Sequence, residues 1–303
     1  MSAATPTLRR PGFRSFKHAW REPGSSSMFK PPLQLLILQY AAMVVLLLFT
    51  VFPFLWQLST SLKGATEDIY QFPPSLLPSA PTLDHYAQVS RTIPILSYAW
   101  HSFLVAGAQV LSNVVLATMG GYALAVMRFK GKMAVMALFL STMLLPGEVT
   151  LTSQYLTIKS LGAANSLVGV FLPGAVGAMN VLLMATAARM IPHDIIDAAI
   201  IDGANTWQRI RHIVWPNIRG MASVVGLFSF IGAWDDFLWP LVVLSDPNKY
   251  TLTVGMQYLS SNFGSNPRVV AAGTMISLIP IIILFATCQR FFFQGVQEGG
   301  VKG

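Results

Sequence analysis

The feature that most constrains this chain is a series of apolar runs, each about as long as a membrane is thick, separated by gaps that hold nearly all of the charge. A helical span needs about 20 mostly apolar residues to cross the hydrocarbon core. Runs of that kind fall at 33–60, 98–126, 133–151, 167–188, 220–244 and 269–287. They predict an all-α, polytopic membrane protein with about six transmembrane helices. Composition agrees, because 11% of the residues are charged, against about 25% in an average soluble domain, too few to cover a water-soluble fold.

The formal charge of +8 is distributed as a topology signal rather than as a nucleic-acid patch. Arg9, Arg10, Arg14, Lys17, Arg21 and Lys30 precede the first run, and Arg128, Lys130 and Lys132 fill one short connector. With the N-terminus inside the cell, fifteen cations fall in inner gaps and five in outer gaps. The positive-inside rule then places both termini in the cytoplasm. The chain divides into a basic cytoplasmic tail at 1–30, a transmembrane domain at 31–290 and a cytoplasmic tail at 291–303. The run from Leu33 to Leu58 exceeds a secretory h-region of about 7 to 15 residues and reads as a retained anchor. Cys288 is the single cysteine and has no disulfide or metal partner. His18, His85, His101, His193 and His212 show no metal-ligand spacing, and no nucleophile has a plausible base, so neither a metal site nor a catalytic residue is expected.

Between the fourth and fifth runs, 190–219 carries much of the remaining charge and reads IPHDIIDAAIIDGANTWQRIRHIVWPNIRG from Ile191. Pro192 suits a first helical position, and Asp194 and Asp197 lie toward the positive end of the helix dipole. Gly203 suits the left-handed residue just past a helix end. Asn205 and Gln208, three apart, form a capping-box pattern that starts a second helix. Trp207, Ile210 and Val214 recur on one side of that helix, with Arg209, Arg211 and His212 elsewhere. Pro216 is expected to end it. Local physics leaves two readings open: a surface that docks on a partner, or a loop folded against its own bundle.

The spacing of Asp197, Ala198, Ala199, Gly203, Ile213, Trp215 and Pro216 resembles the EAA loop of importer permeases of the ATP-binding-cassette class. Asp202, Gly203, Ala204 and Asn205, followed by Trp207, look like the MalG-like carbohydrate branch of that family. The resemblance extends from the first span to the C-terminus, through LLPGEV (144–149), AWDDFLWPL (233–241) and the closing GGVKG. Asp197 stands where Glu is usual, Trp215 where Leu is, Asp235 where Asn is common and Ser153 where Pro is. A type I importer permease fold in a bacterial inner membrane is implied. So are a second homologous permease, two ATPase subunits, an external solute-binding protein and a carbohydrate substrate, with surrounding lipid. By resemblance the loop is a coupling helix. Asp197 pairs with a cation of the ATPase, Gly203 lets the two helices bend closely together, and Trp207 fills an apolar pocket. The segment 245–268 becomes an external loop reaching the binding protein, and the closing tail is either a frayed end or an insertion between the ATPases. ATP and Mg belong to the partners: Gly131 and Lys132 are followed by Met133, and position 126 is Val, so no phosphate loop of the form G-x-x-x-x-G-K-[ST] exists here.

Asp235 and Asp236 lie well inside or near the outer end of the fifth run, and a carboxylate at a helix centre costs about 2.5–3.5 kcal/mol. With Trp234 and Trp239 they form a candidate substrate path, since aromatic faces pack on sugar rings and carboxylates accept hydroxyl hydrogen bonds. The competing account makes the tryptophans interfacial anchors and the aspartates helix ties. Two other functions remain open: an ion-coupled secondary transporter using these aspartates, and a non-transport membrane scaffold.

Overall fold

A computed structural model describes residues 33–73, 75–264 and 266–300, with side chains as far as Thr287. The described residues contain helices and no strand. The basic tail expected at 1–30, and Val301, Lys302 and Gly303 of the closing tail, lie outside them. The chain divides into two compact units, 1–53 and 54–303. The first contains the beginning of helix α1 (Leu33–Leu62), where Ile37, Leu38, Val45, Leu46 and Phe49 are exposed on successive sides of the helix. A helix that is apolar all round suits lipid rather than water.

The second unit is organised on α3 (Ile95–Ala125), which packs along α7 (Ala178–Arg189) and α10 (Trp215–Asp235). Small residues make the first contact close. A Cβ at Gly121 would lie 2.7 Å from the backbone of Met184 and Ala185, so only glycine lets these helices approach this far. Tyr122, Met184, Ile196, Val214 and Ile218 fill one apolar cluster at this end of the bundle. A second cluster joins α3 and α10 to α2 (Asp84–Thr92), α12 (Leu252–Phe263) and α13 (Pro267–Gly300). Among the described residues four helices are long and apolar enough to cross a membrane, or up to six if each of two bent pairs is one span.

The bends follow from local chemistry. The expected run 133–151 is not one straight helix: α4 (Lys132–Leu144) and α5 (Gly147–Ser160) meet at 108°. Leu145 precedes Pro146, which drives it from the helical region to φ −89°, ψ 123°. The run 167–188 bends by 45° between a short helical segment, α6 (Leu167–Phe171) with a 3-10 turn at Leu172–Gly174, and α7. Asn113 of α3 closes that break. Its amide donates to the Gly174 carbonyl at 2.8 Å and its Oδ1 accepts from Gly177 N–H at 2.8 Å. Asn180 donates to the same oxygen at 2.8 Å and to Ser229 Oγ at 3.2 Å, so one buried asparagine satisfies groups that the broken helix frees.

Two further expectations need correction. The run 220–244 ends as a helix at Asp235; Asp236 adopts φ −65°, ψ 122°, and a short α11 (Leu238–Val243) follows. The segment 245–268 is not only a loop, because Leu252–Phe263 forms α12 with Leu252 and Leu259 fully buried. The segment between α1 and α3, which carries Pro73, Pro78, Pro81 and Pro94, contains α2. Beside it the wholly buried Lys63 donates to the Ser75 carbonyl at 2.8 Å and lies 5.0 Å from the Trp56 ring centre. Glu67 holds the same turn, accepting from Ser79 N–H at 3.1 Å and Ser75 Oγ at 3.3 Å, and Arg268 at the start of α13 donates to the Glu67 carbonyl.

Candidate coupling and translocation sites

The segment 190–219 forms the helical elbow that its capping residues predict. Helix α8 (His193–Ile201) begins one position after Pro192, which is the N-cap with φ −55°, ψ 131° rather than the first helical residue. It closes through Gly203 N–H to the Ile200 carbonyl (3.0 Å) and Ala204 N–H to the Ala199 carbonyl (2.9 Å), with Gly203 at φ +79°. That is the left-handed geometry for which glycine has no steric penalty. A Cβ there would touch nothing within 4 Å, so backbone conformation and not crowding within this chain requires the glycine. The capping box is complete: Gln208 N–H donates to Asn205 Oδ1 at 2.9 Å, and Asn205 N–H donates to Gln208 Oε1 at 2.8 Å.

The second arm of the elbow corrects another expectation, because Pro216 does not end it. Thr206–Asp235 is one helix of 30 residues. It starts as α9 (Thr206–Arg209), passes through a π-helical stretch at Ile210–Val214 and continues as α10, with Pro216 in the first turn of α10. The π stretch has already left the i→i−4 ladder, which is where proline's missing N–H does least harm. The elbow is therefore continuous with the helix of the fifth span.

Burial divides the elbow into two faces. Ile196, Ile210 and Val214 are buried in the bundle's cluster. Ile195, Ile201 and Trp207 are exposed, Ile201 to 86% and Trp207 to 58%. The stripe of Trp207, Ile210 and Val214 is thus split, with the indole turned away from the core. Asp197, Ala198, Asp202 and Gly203 are exposed as well, Ala199, Ala204 and Ile213 are half-buried, and Pro216 is exposed.

The four residues of the expected substrate path do not converge. Trp234 is buried and stacked on Phe230 at 5.6 Å, and with Asp235 it lines a cavity of about 420 Å³ between α10, α12 and α13. Asp236 turns to the backbone instead: its Oδ1 accepts from Trp239 N–H at 3.4 Å, and its carbonyl accepts from Thr253 Oγ1 at 2.6 Å. Trp239 is buried in a separate cluster, its indole N–H donating to the Gly169 carbonyl at 3.2 Å. Thr253, Gln257, Thr274 and Ser277 supply the cavity's other polar groups. Sequence reasoning missed them. The available signal was Thr274 and Ser277 at i, i+3 inside an otherwise apolar run, which puts two hydroxyls on one helix face.

A bent, polytopic bundle with an exposed helical elbow joined directly to a membrane helix defines a transport permease of the importer kind, and comparison with known proteins gives the family. The chain belongs to the binding-protein-dependent transport system inner membrane component family, whose model matches residues 35–298. It is 31% identical over 269 residues to the inner membrane ABC transporter permease protein YcjP of Escherichia coli (strain K12), covering 87% of this chain and 95% of that protein. It is 32% identical over 258 residues to the maltose/maltodextrin transport system permease protein MalG of Vibrio vulnificus (strain YJ016), covering 76% and 84%. In fold it resembles a chain of the crystal structure of a bacterial ABC transporter involved in the import of the acidic polysaccharide alginate, with a TM-score of 0.75, 21% identity, and coverage of 86% and 96%. The chain is a multi-pass inner-membrane ABC transporter permease. That membership does not favour the ion-coupled and scaffold readings.

Proposed function

We propose that the chain forms one half of the membrane pathway of an ATP-driven importer whose substrate is a carbohydrate, handed over by an external binding protein. A second homologous permease completes the pathway. Two separate ATPase subunits bind ATP and Mg, and this chain takes part in hydrolysis only through the elbow at 190–219, which faces the cytoplasm together with both termini. The observation that carries the docking is the exposed apolar face of Ile195, Ile201 and Trp207 beside Asp197. Exposed apolar groups clustered at the tip of a rigid element mark a contact with another protein. Asp197 supplies a charge for a cation of the ATPase, and Trp207 a large side chain for an apolar recess. The carbohydrate class is supported by the relatives, whose names specify maltose or maltodextrin in one case and alginate in the other.

On this reading Trp234, Asp235, Asp236 and Trp239 serve the substrate path in two ways. Trp234 and Asp235 face the cavity at the end of α10, while Asp236 and Trp239 hold the turn into α11. The test of the coupling site is chemical cross-linking from single cysteines at Ala199 and Gly203 in the assembled complex. Capture of the ATPase, with spacing that changes on adding ATP, is expected. Labelling of both positions from outside the cell, or no capture at any stage of the ATP cycle, overturns the docking assignment.

A further inference from the structure

A second cavity, of about 760 Å³, lies behind the elbow, between α8 and α9 on one side and the end of α3 with the 126–132 connector on the other. Its lining combines two chemistries. Arg128, Lys132 and Arg209 bring three cations, with His193 and Asp197 also at the wall, while Val126, Met127 and Ile200 are apolar. None of the three cations forms an ion pair with a carboxylate among the described residues. Lys132 Nζ donates to the Ala125 and Met127 carbonyls, both at 3.3 Å, and Arg209 donates from Nη2 to Thr206 Oγ1 at 3.0 Å. Arg209 Nε is buried without a partner. The second observation is Tyr122, which also lines this cavity. It is 1% exposed, and its hydroxyl has no hydrogen-bond partner. A buried phenol without a partner is uncommon, since buried polar groups are normally satisfied.

Three cations without a carboxylate partner, set beside apolar side chains, match an amphiphilic anion better than a small inorganic one. We propose that this cavity binds the phosphodiester headgroup of an anionic phospholipid such as phosphatidylglycerol, taken from the leaflet on the elbow's side of the membrane. The cations attract the phosphate, as basic pockets between transmembrane helices do at that surface. Arg128, Lys132 and Arg209 hold the charge, the Tyr122 hydroxyl donates the remaining hydrogen bond, and Val126, Met127 and Ile200 pack against the glycerol and upper acyl carbons. Of the docking face, Asp197 reaches the cavity wall, whereas Ile195, Ile201 and Trp207 do not line it. A bound lipid would therefore fix the angle between elbow and bundle and leave the apolar part of the contact proposed for the ATPase open.

The test titrates the purified full-length chain in detergent with dihexanoyl phosphatidylglycerol, dihexanoyl phosphatidylcholine and inorganic phosphate, followed by calorimetry. Saturable binding of phosphatidylglycerol is expected, weakened by salt because part of the attraction is screened. Phosphatidylcholine is expected to bind at least about tenfold more weakly, for want of net charge. Arg128→Gln with Lys132→Gln should lower phosphatidylglycerol affinity about thirtyfold, the equivalent of two surface cations. Tyr122→Phe removes one oxygen, leaves the cluster's packing in place, and supplies the measurement if the double variant does not fold; it should weaken binding several-fold, as loss of one hydrogen bond to a charged group does. Equal affinity for both lipids, or unchanged phosphatidylglycerol affinity in the double variant or in Tyr122→Phe, overturns the proposal. So does inorganic phosphate binding as tightly as the lipid, which would make this a free-anion site. Loss of lipid binding when the ATPase is present would assign the cavity to that protein and refute the lipid.

Discussion

The elbow's geometry makes one substitution series unusually informative, because Gly203 has an unfavourable backbone angle and free space around it at once. At φ +79° an ordinary L-residue costs about 1–2 kcal/mol relative to glycine, and a β-branched one lies at the upper end because its Cγ atoms crowd the carbonyl. Nothing in this chain lies within 4 Å of the added Cβ, so no packing cost follows. Gly203→Val should therefore leave membrane insertion and the melting temperature of the bundle close to wild type. Its effect is local: a penalty near 2 kcal/mol cuts the population of the native elbow about thirtyfold wherever another turn is accessible. Gly203→Asn is the control, since asparagine enters the left-handed region readily. In proteoliposomes holding the full complex, substrate imported per ATP hydrolysed should fall several-fold for Val and stay near wild type for Asn. Wild-type coupling in Gly203→Val would refute the need for this backbone geometry. Equal loss in Val and Asn would show that the partner tolerates no side chain at this position, so that size and not backbone angle is decisive.

Gly121→Val should destabilise the chain by about 1–3 kcal/mol, as overpacking does, because the new Cβ meets backbone at 2.7 Å; Gly226→Ala, whose Cβ would meet Val110 and Val114 at 3.6 Å, should be close to neutral in the same thermal-unfolding assay. Asn113→Leu strands the Gly177 N–H and the Gly174 carbonyl, at about 1–3 kcal/mol for each buried group left unpaired, and a variant that melts with wild type would show that the break in 167–189 needs no partner. Burial pulls the Glu67 carboxyl upward in pKa, yet the Ser79 and Ser75 hydrogen bonds and the Lys63 charge outweigh it and hold the group below its ordinary value. The ionised form thus stabilises the 63–79 turn above the ordinary carboxylate pKa of about 4.3, and that contribution fades as pH falls through the lowered value. Hydrogen-exchange protection in the turn, measured relative to the intrinsic rate at each pH, should fall on acidification in wild type and lose that dependence in Glu67→Gln.

What the sequence made legible was whatever depends on short-range rules. The elbow is the clearest case: Asn205 and Gln208 form their box, and Gly203 takes the left-handed angle, because both depend on residues at most four positions away. Pro216 shows where such reasoning fails. A proline at that place reads as a stop, yet a π stretch before it absorbs the missing donor, and that stretch is held by Ile210 and Val214 packing into a cluster supplied largely by other helices. The same holds for Trp239. An interfacial tryptophan and one that hydrogen-bonds Gly169, seventy positions earlier, look alike until the chain is folded. Asn113 is the opposite omission: a single amide in an apolar run gave no sign that it would close a break in a helix some sixty residues further on.

The continuity of Thr206–Asp235 changes what the proposed coupling can consist of. Were the elbow to end at Pro216, a push on Trp207 would enter a flexible joint and be lost there. Instead the docking arm and the membrane helix share one backbone ladder, interrupted only by the π stretch. A displacement at α9 therefore reaches Trp234, at the other end of the same helix and at the wall of the 420 Å³ cavity. The weak point is the π stretch itself, where five residues are held by non-standard hydrogen bonds and by the burial of Ile210 and Val214. The π stretch accommodates one extra residue in a widened turn, so removing a residue there would restore the regular ladder with little rotation, whereas inserting one alanine between Val214 and Trp215 turns α9 by about 100° against α10. That insertion should leave α10 and its membrane insertion in place while swinging Trp207 and the capping box off the docking face, so ATP hydrolysis should persist without import. Normal import by the insertion variant, measured in the same proteoliposomes, would show that the orientation of α9 relative to α10 is not what transmits the motion.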